Sequence, residues 1–192
     1  MDRNGPFVAI VLAAGRGERF GGGKLAAPLA GRPLLDHAVQ TALASPAAQV
    51  IVVGRPGTQI FAEPLLRLIE LHSAALSDSL RAGLAAAQGA AGAFIFLGDM
   101  PLVPPDVAAR LVGAIGSAPA ALPEWRGRPG HPVLLARRSF CLADGLAGDE
   151  GLGTVLRGLP GVVRLPVEED GVVLDVDRVE DLAAIARRID GY

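Results

Sequence analysis

The sequence predicts an open α/β sheet, mixed but mostly parallel, with helices on both faces. Three observations carry this. Short runs that are apolar from end to end, such as FVAIVL at residues 7–12 and VIVV at 50–53, read as strands buried on both faces. They alternate with segments of helical periodicity, which is the pattern of βα units. A glycine-rich stretch, residues 15–23, follows the first of these strands directly.

After that stretch, Pro33 opens a helix with Leu34, Leu35, Ala38, Val39, Ala42 and Leu43 on one face, and Pro46 closes it. The strand at 50–53 ends at Gly54. Residues 60–71 read as a helix interrupted by Pro64. Ser77 or Asp78 is placed to cap a helix running to about Gln88. AFIFL at 93–97 is a third buried strand, followed at once by Gly98-Asp99-Met100-Pro101. A helix is expected over 104–115. Strands are expected at 118–122 and 132–136, joined by a Gly/Pro/Arg-rich loop at 124–131, with a short helix at 150–158. Residues 162–167 and 172–176 read as a strand hairpin. Residues 179–189 close the chain as an amphipathic helix with Leu182, Ile185, Ala186 and Ile189 inward. No repeat or linker divides the 192 residues, so a single domain over 1–192 is expected.

Composition removes several classes of function. With 51% hydrophobic residues the chain has ample core material and is not disordered. A net charge of −2 argues against a dedicated nucleic-acid binder. A single cysteine, Cys141, excludes a disulfide framework and a thiolate zinc site, and is expected to be a buried small hydrophobe. No apolar run is long enough to span a bilayer. The residues before position 7 lack net positive charge and Gly15-Arg16-Gly17 is a poor cleavage site, so residues 7–14 do not read as a leader. A cytoplasmic setting without membrane or nucleic-acid partners is the expectation. The charge is uneven: residues 1–60 carry six basic and three acidic groups, residues 144–192 five and eleven. All basic residues are Arg except Lys24, which follows Gly21-Gly22-Gly23.

In open α/β sheets, ligands sit beyond the carboxyl ends of the strands. The segment LAAGRGERFGGGK, residues 12–24, occupies such an end. Its glycines let backbone N–H groups converge on an anion, and Arg16, Arg19 and Lys24 add charge, so it has the form of a phosphate cradle. It is neither a Walker A loop, because Leu25 replaces Ser/Thr, nor a dinucleotide fingerprint, because Phe20 replaces the third glycine. Asp99 occupies a second carboxyl end. Asp175 and Asp177, in LDVDRVEDL, would lie on one face of a strand, while Glu180 and Asp181 suit the first turn of a helix. Mg²⁺ keeps one or two carboxylates plus substrate phosphates, so Asp99, Asp175 and Asp177 are the candidate metal ligands. Trp125 with Arg126 and Arg128 is a candidate clasp for a bulky ligand, and His37 a structural histidine.

The ordered segments LAAGRGERFGGGKLAAPLAGRPLL, LSDSLRAGL, LGDMPLV, RGRPGHPVLL, AGDEGLGTVLR and LDVDRVEDL resemble the molybdenum cofactor nucleotidyltransferases, closest to the cytidylyltransferase (MocA-like) branch. The resemblance spans about residues 7–190. It implies a Rossmann-like nucleotidyltransferase fold, CTP as substrate, Mg²⁺ as cofactor, and transfer of CMP to the terminal phosphate of Mo-molybdopterin with release of pyrophosphate. By the same resemblance, Leu12, Ala13, Ala14, Gly15 and Arg16 would line the nucleotide, and Arg19 and Lys24 would hold its phosphates. Asp99 would bind Mg²⁺, and Asp175 and Asp177 match the second acidic motif. Ser77, Ser79 and Leu80 would lie by the base, although both serines also suit a plain helix cap. His131 would lie toward the acceptor. Ala14 stands where guanylyl-transferring relatives usually have Gly, which favours the smaller pyrimidine. Arg178-Val179 departs from the Thr-Pro usual in the last motif. A molybdopterin-type acceptor and a client molybdoenzyme are the implied partners. The alternatives are a guanylyl- or sugar-1-phosphate nucleotidyltransferase, or a catalytically silent nucleotide-binding or chaperone module for a molybdoenzyme.

Overall fold

The computed structural model describes residues 5–15, 17–73 and 75–190. Its sheet is assembled from β1 (Phe7–Ala13), β4 (Ala47–Gly54), β5 (Leu66–Glu70), β6 (Gly92–Leu97), β7 (Ala120–Trp125), β8 (Arg128–Pro129), β9 (Val133–Ala136) and β10 (Val163–Pro166), while β2 (Pro28–Leu29) and β3 (Arg32–Pro33) form a separate small ribbon. Five α-helices, α1 (Leu34–Leu43), α2 (Leu76–Ala86), α3 (Val107–Ile115), α4 (Leu152–Leu156) and α5 (Val179–Asp190), are described, with 3₁₀ turns between them. The strand order is β10-β7-β9-β6-β1-β4-β5, with β8 paired to β7. Pairing is parallel from β6 through β1 and β4 to β5. It is antiparallel on both sides of β9, and parallel again between β10 and β7. The fold is therefore the mixed, mostly parallel Rossmann-like sheet that the sequence predicts.

The end-to-end apolar strands follow from burial on two faces. In β1, Val8, Ile10 and Leu12 enter the core under α2, while Ala9, Val11 and Ala13 enter the core under α1. β6 does the same with Ala93 and Ile95 against Phe94 and Phe96. A third, smaller core joins Leu29 and Leu34 to Val176 and Ile185, with Phe20 and Leu25 of the glycine-rich loop packed against it. The topology also locates a crevice. The chain steps from β1 outward to β4 and β5, then returns to lay β6 on the other side of β1. That reversal opens a gap beyond the carboxyl end of β1.

Several expectations are corrected. Residues 60–71 are not helical: β5 runs within them, because the open edge of β4 offers a parallel backbone partner and Pro64 disfavours a helix. No hairpin forms at 162–176. Only β10 is a strand, and Asp170–Val173 is a 3₁₀ turn locked by close packing. A Cβ on Gly171 would fall 1.9 Å from the Leu102 carbonyl oxygen, and one on Gly130 would fall 2.4 Å from that of Val172. The apolar pattern there reflects the burial of Val172 and Val176, not strand pairing. Ala75, not Ser77 or Asp78, is the N-cap of α2, without a side-chain bond. Residues 124–131 are not an open loop but turn β7 into β8. Cys141 is exposed, because Phe140 and Ala143 take the inward positions of its 3₁₀ turn. His37 is structural as expected, its Nε2 donating to the Leu29 carbonyl at 2.9 Å.

Two predictions follow from the packing. A Cβ at Gly83 of α2 would fall 2.5 Å from Ile10 Cγ2. Overpacking costs about 1–3 kcal/mol, against a helix-propensity gain of at most about 1 kcal/mol. Gly83→Ala should therefore lower the denaturant midpoint, and a raised midpoint would contradict the tight seat of α2. Arg188 of α5 grips Asp170 with both guanidinium nitrogens, at 3.0 and 2.5 Å, and this holds the Asp170 carboxyl below its ordinary value of 3.8. A depressed acid contributes stability that is present above the unfolded pKa and lost as pH falls through the folded one. Asp170→Asn should cost roughly 0.2–1 kcal/mol near neutral pH. In melting curves that difference should shrink as pH falls below about 4 and vanish only below the depressed folded pKa.

Candidate active site

The crevice beyond β1 is a cavity of about 770 Å³, within the range of a small-molecule or cofactor site. The chain leaves β1 through Ala14 and Gly15 and folds into two successive 3₁₀ turns, Glu18–Phe20 and Lys24–Ala26. Gly17, Gly21, Gly22 and Gly23 all hold left-handed backbone with φ between 60° and 94°, which residues with a Cβ adopt only at a cost. At Gly17 the need is also steric, since a Cβ would fall 3.0 Å from that of Lys24. The loop thus folds back until Lys24 overhangs the strand ends, and Leu25 anchors it in the core.

On the facing side, Gly98 donates to the Leu12 carbonyl at 2.9 Å, and Met100 and Pro101 are buried, which fixes Asp99 at the end of β6. Lys24 Nζ donates to Asp99 Oδ2 at 2.6 Å and lies 3.9 Å from Asp177 Oδ1. Arg19 Nη1 donates to Asp177 Oδ2 at 3.0 Å. The Lys24 and Asp99 side chains are 13% and 23% exposed, so their attraction is only partly screened. Asp177 is aimed by its own segment. Val176 N–H donates to the Asp99 carbonyl at 3.0 Å, and Asp181 Oδ2 accepts the N–H groups of Asp177 and Arg178 at 2.9 and 2.7 Å.

Of the candidate residues, Leu12, Ala13, Ala14, Gly15, Arg19, Lys24, Ser79, Asp99 and Asp177 line this cavity together. Arg16 lies outside the described residues. Ser77 is fully buried, its N–H bonded to the Gly148 carbonyl, and lines neither cavity. Asp175 does not line the cavity either, since no strand is there to set it on the same face as Asp177. Its pKa is nonetheless raised, chiefly by desolvation and then by the negative charges of Asp99 and Asp177. Leu80 and His131 line a smaller, mostly apolar cavity of about 150 Å³ that shares Leu12, Leu76 and Leu97 with the larger one. His131 Nδ1 donates to the Ile95 carbonyl at 3.1 Å, and burial lowers its pKa despite the nearby charges of Asp99 and Asp175. At neutral pH the ring is therefore uncharged, with Nε2 as an acceptor. Trp125 lies under the guanidinium groups of Arg126 and Arg128, 4.9 and 6.0 Å from the ring centre, in the hairpin whose Pro129 borders this smaller cavity.

Sequence reasoning missed His72, Ser73 and Asp149, which also line the large cavity. His72 and Ser73 were hidden by the helical reading of 60–71. Asp149 stands among acidic loop residues with no local signal.

A cationic glycine crevice at the switch point of such a sheet, faced by carboxylates, defines the class as a nucleotide-binding α/β protein. The sequence narrows it: residues 9–165 match the MobA-like NTP transferase domain, and the chain belongs to that family of nucleotidyltransferases. It is 29% identical to the purine catabolism protein PucB of Bacillus subtilis over 94% of this chain and 96% of PucB. It is 36% identical to the 2-C-methyl-D-erythritol 4-phosphate cytidylyltransferase of Cereibacter sphaeroides, over 65% of this chain and 64% of that one. Rv0371c of Mycobacterium tuberculosis, solved in complex with manganese, superposes with a TM-score of 0.81 at 25% identity, covering 95% of this chain and 98% of that one. Among the described residues no helix is long and apolar enough to cross a membrane.

The Lys24–Asp99 contact predicts its own energetic signature. A double-mutant cycle of Lys24→Met and Asp99→Asn in chemical denaturation should show a coupling of roughly 0.5–3 kcal/mol. Additive single effects would make the pair incidental.

Proposed function

We propose that this nucleotidyltransferase moves CMP from CTP to the terminal phosphate of Mo-molybdopterin, releasing pyrophosphate, with Mg²⁺ as the metal. The observation that carries the reading is the meeting of Lys24 with Asp99 and Asp177 in a nucleotide-sized cavity. CTP is supported by the Ala14 methyl group at the cavity wall and by the Cereibacter relative, a cytidylyltransferase. The acceptor is supported by the series of motifs shared with the molybdenum cofactor enzymes.

The donor set fits a hard divalent cation. Two carboxylates already face one cationic point, Lys24 Nζ, and Asp175 lies near enough that, after desolvation, the charges of Asp99 and Asp177 raise its pKa. Among the described residues no three His, Cys, Asp or Glu converge on a metal. Mg²⁺ needs only one or two carboxylates from the protein, because it completes its shell with phosphate and water. Asp99 and Asp177 would hold it, with Asp175 adding to the field. When bound, Mg²⁺ supplies positive charge against the α-phosphate. The manganese complex of Rv0371c supports a divalent ion in this fold.

The chain's own residues supply the rest. Lys24, Arg19 and the loop N–H groups would bind the β- and γ-phosphates and stabilise the charge of the leaving pyrophosphate. An oxygen of the acceptor phosphate attacks the α-phosphorus as the bond to the β-phosphate oxygen breaks. A phosphate monoester is already anionic at neutral pH, so no general base is needed. His131, uncharged, would offer Nε2 to a donor group of the acceptor in the adjoining apolar cavity.

Pyrophosphate release with CTP, GTP or UTP, with and without Mo-molybdopterin and Mg²⁺, tests the reading. CTP with that acceptor should be strongly preferred. Asp99→Ala should abolish turnover, and Lys24→Ala should cost about 100-fold or more, by analogy with a lost oxyanion donor. Full activity of Asp99→Ala would refute the metal assignment, and release that ignores the acceptor would refute the substrate.

A further inference from the structure

The large cavity is lined by two chemically different sets of residues from separate strand ends. Lys24 and Arg19 lie where β1 and β6 finish. The chain leaving β5, three strand spacings from β6 or about 14 Å, brings His72 and Ser73 to the same cavity, and the loop before α4 brings Asp149. With the triphosphate drawn to the cations, the nucleobase is left the end lined by His72, Ser73, Ala75, Leu76, Ser79 and Asp149.

The hydrogen-bonding character of that end is set by a network. Ser73 Oγ donates to Asp78 Oδ2 at 2.5 Å and accepts the Ala75 N–H at 3.2 Å. Asp78 is kept ionised, first by that serine bond and then by Arg81, whose Nη2 donates to its Oδ1 at 2.5 Å. Arg81 is anchored in turn, with Nη1 donating to the carbonyls of Ala143 and Leu146 at 3.2 and 2.7 Å. A serine hydroxyl has one hydrogen. Here it is committed to Asp78, so Ser73 has only acceptor capacity left. Asp149, exposed and without a side-chain partner among the described residues, is an acceptor by nature when ionised.

We infer that Ser73 and Asp149 select the nucleobase by its exocyclic amino group, accepting hydrogen bonds from cytosine N4 and rejecting uracil, which carries an acceptor oxygen there. The inference rests on the nucleotidyltransferase reading and names the residues that make it choose. Asp78 and Arg81 are positioning residues. They fix which way the Ser73 hydroxyl faces and do not themselves meet the base.

The test is calorimetric titration of the intact protein with CTP, UTP and GTP in Mg²⁺, without acceptor. The wild type should bind CTP at least about tenfold tighter than UTP, the scale of one lost hydrogen bond to a charged group. Ser73→Ala and Asp149→Asn should each bring that ratio below about threefold, and Ser73→Thr, which keeps the hydroxyl, should preserve it. Asp78→Asn can donate to Ser73 Oγ and release its hydrogen toward the cavity, so it should raise UTP affinity, which a merely structural role would not do. Equal binding of CTP and UTP by the wild type overturns the inference, as does a ratio unchanged in both Ser73→Ala and Asp149→Asn. Pyrophosphate release in that event leaves the nucleotidyltransferase reading standing. Tighter binding of GTP than of CTP overturns the CTP assignment and the inference with it. Absence of binding by all three overturns both.

Discussion

One contact organises the candidate site: a single ammonium, Lys24 Nζ, held between carboxylates that come from distant parts of the chain. Asp99 is 75 residues away, and Asp177 belongs to the C-terminal segment. In water such an attraction is worth little, but here both members of the closer pair are largely covered. The pair can persist only if the glycine loop, the end of β6 and the segment before α5 are all held in register. Much of the surrounding structure serves that end. Gly17 lets the loop fold onto Lys24, Gly98 ties the end of β6 to Leu12, and Asp181 collects the backbone N–H groups that aim Asp177.

The third core shows how distant segments stay together. Phe20 and Leu25 from the glycine loop, Leu29 and Leu34 from the ribbon and α1, and Val176 and Ile185 from the C-terminal part share one apolar cluster. The glycine loop and the Asp177 segment are thus two edges of the same hydrophobic unit, and the polar site between them inherits its rigidity from packing.

How much of this was legible in the sequence depends on the range of the signal. β1, β4 and β6 are buried on both faces, so their apolar runs are local and self-evident. α1, α3 and α5 carry their own periodicity. The glycine loop, Lys24 and Asp99 could be read because strand ends are where such sheets bind ligands. What failed was non-local. β5 is an edge strand defined by a partner rather than by composition. Residues 172–176 are apolar because they fill a core, and only the Leu102 and Val172 carbonyls explain why they turn. Cys141 is small and apolar, but its turn points it outward. Asp175 was paired with Asp177 on the premise of a strand that does not form. Ser73 and Asp149 converge with the glycine loop only in three dimensions.

Two of the arginines make multiple hydrogen bonds: Arg81 joins two carbonyls and a carboxylate, and Arg188 takes both oxygens of Asp170. A planar fork with five donors suits such bridging, and a lysine would satisfy one partner at a time. At the tip of the glycine loop the need is reversed. The cation must fit between two carboxylates in a tight turn, on a stem thin enough to pass Gly17. A compact ammonium on a flexible chain does that, and a fixed guanidinium fork does not. That single departure from arginine therefore falls where a point charge works better than a bridge.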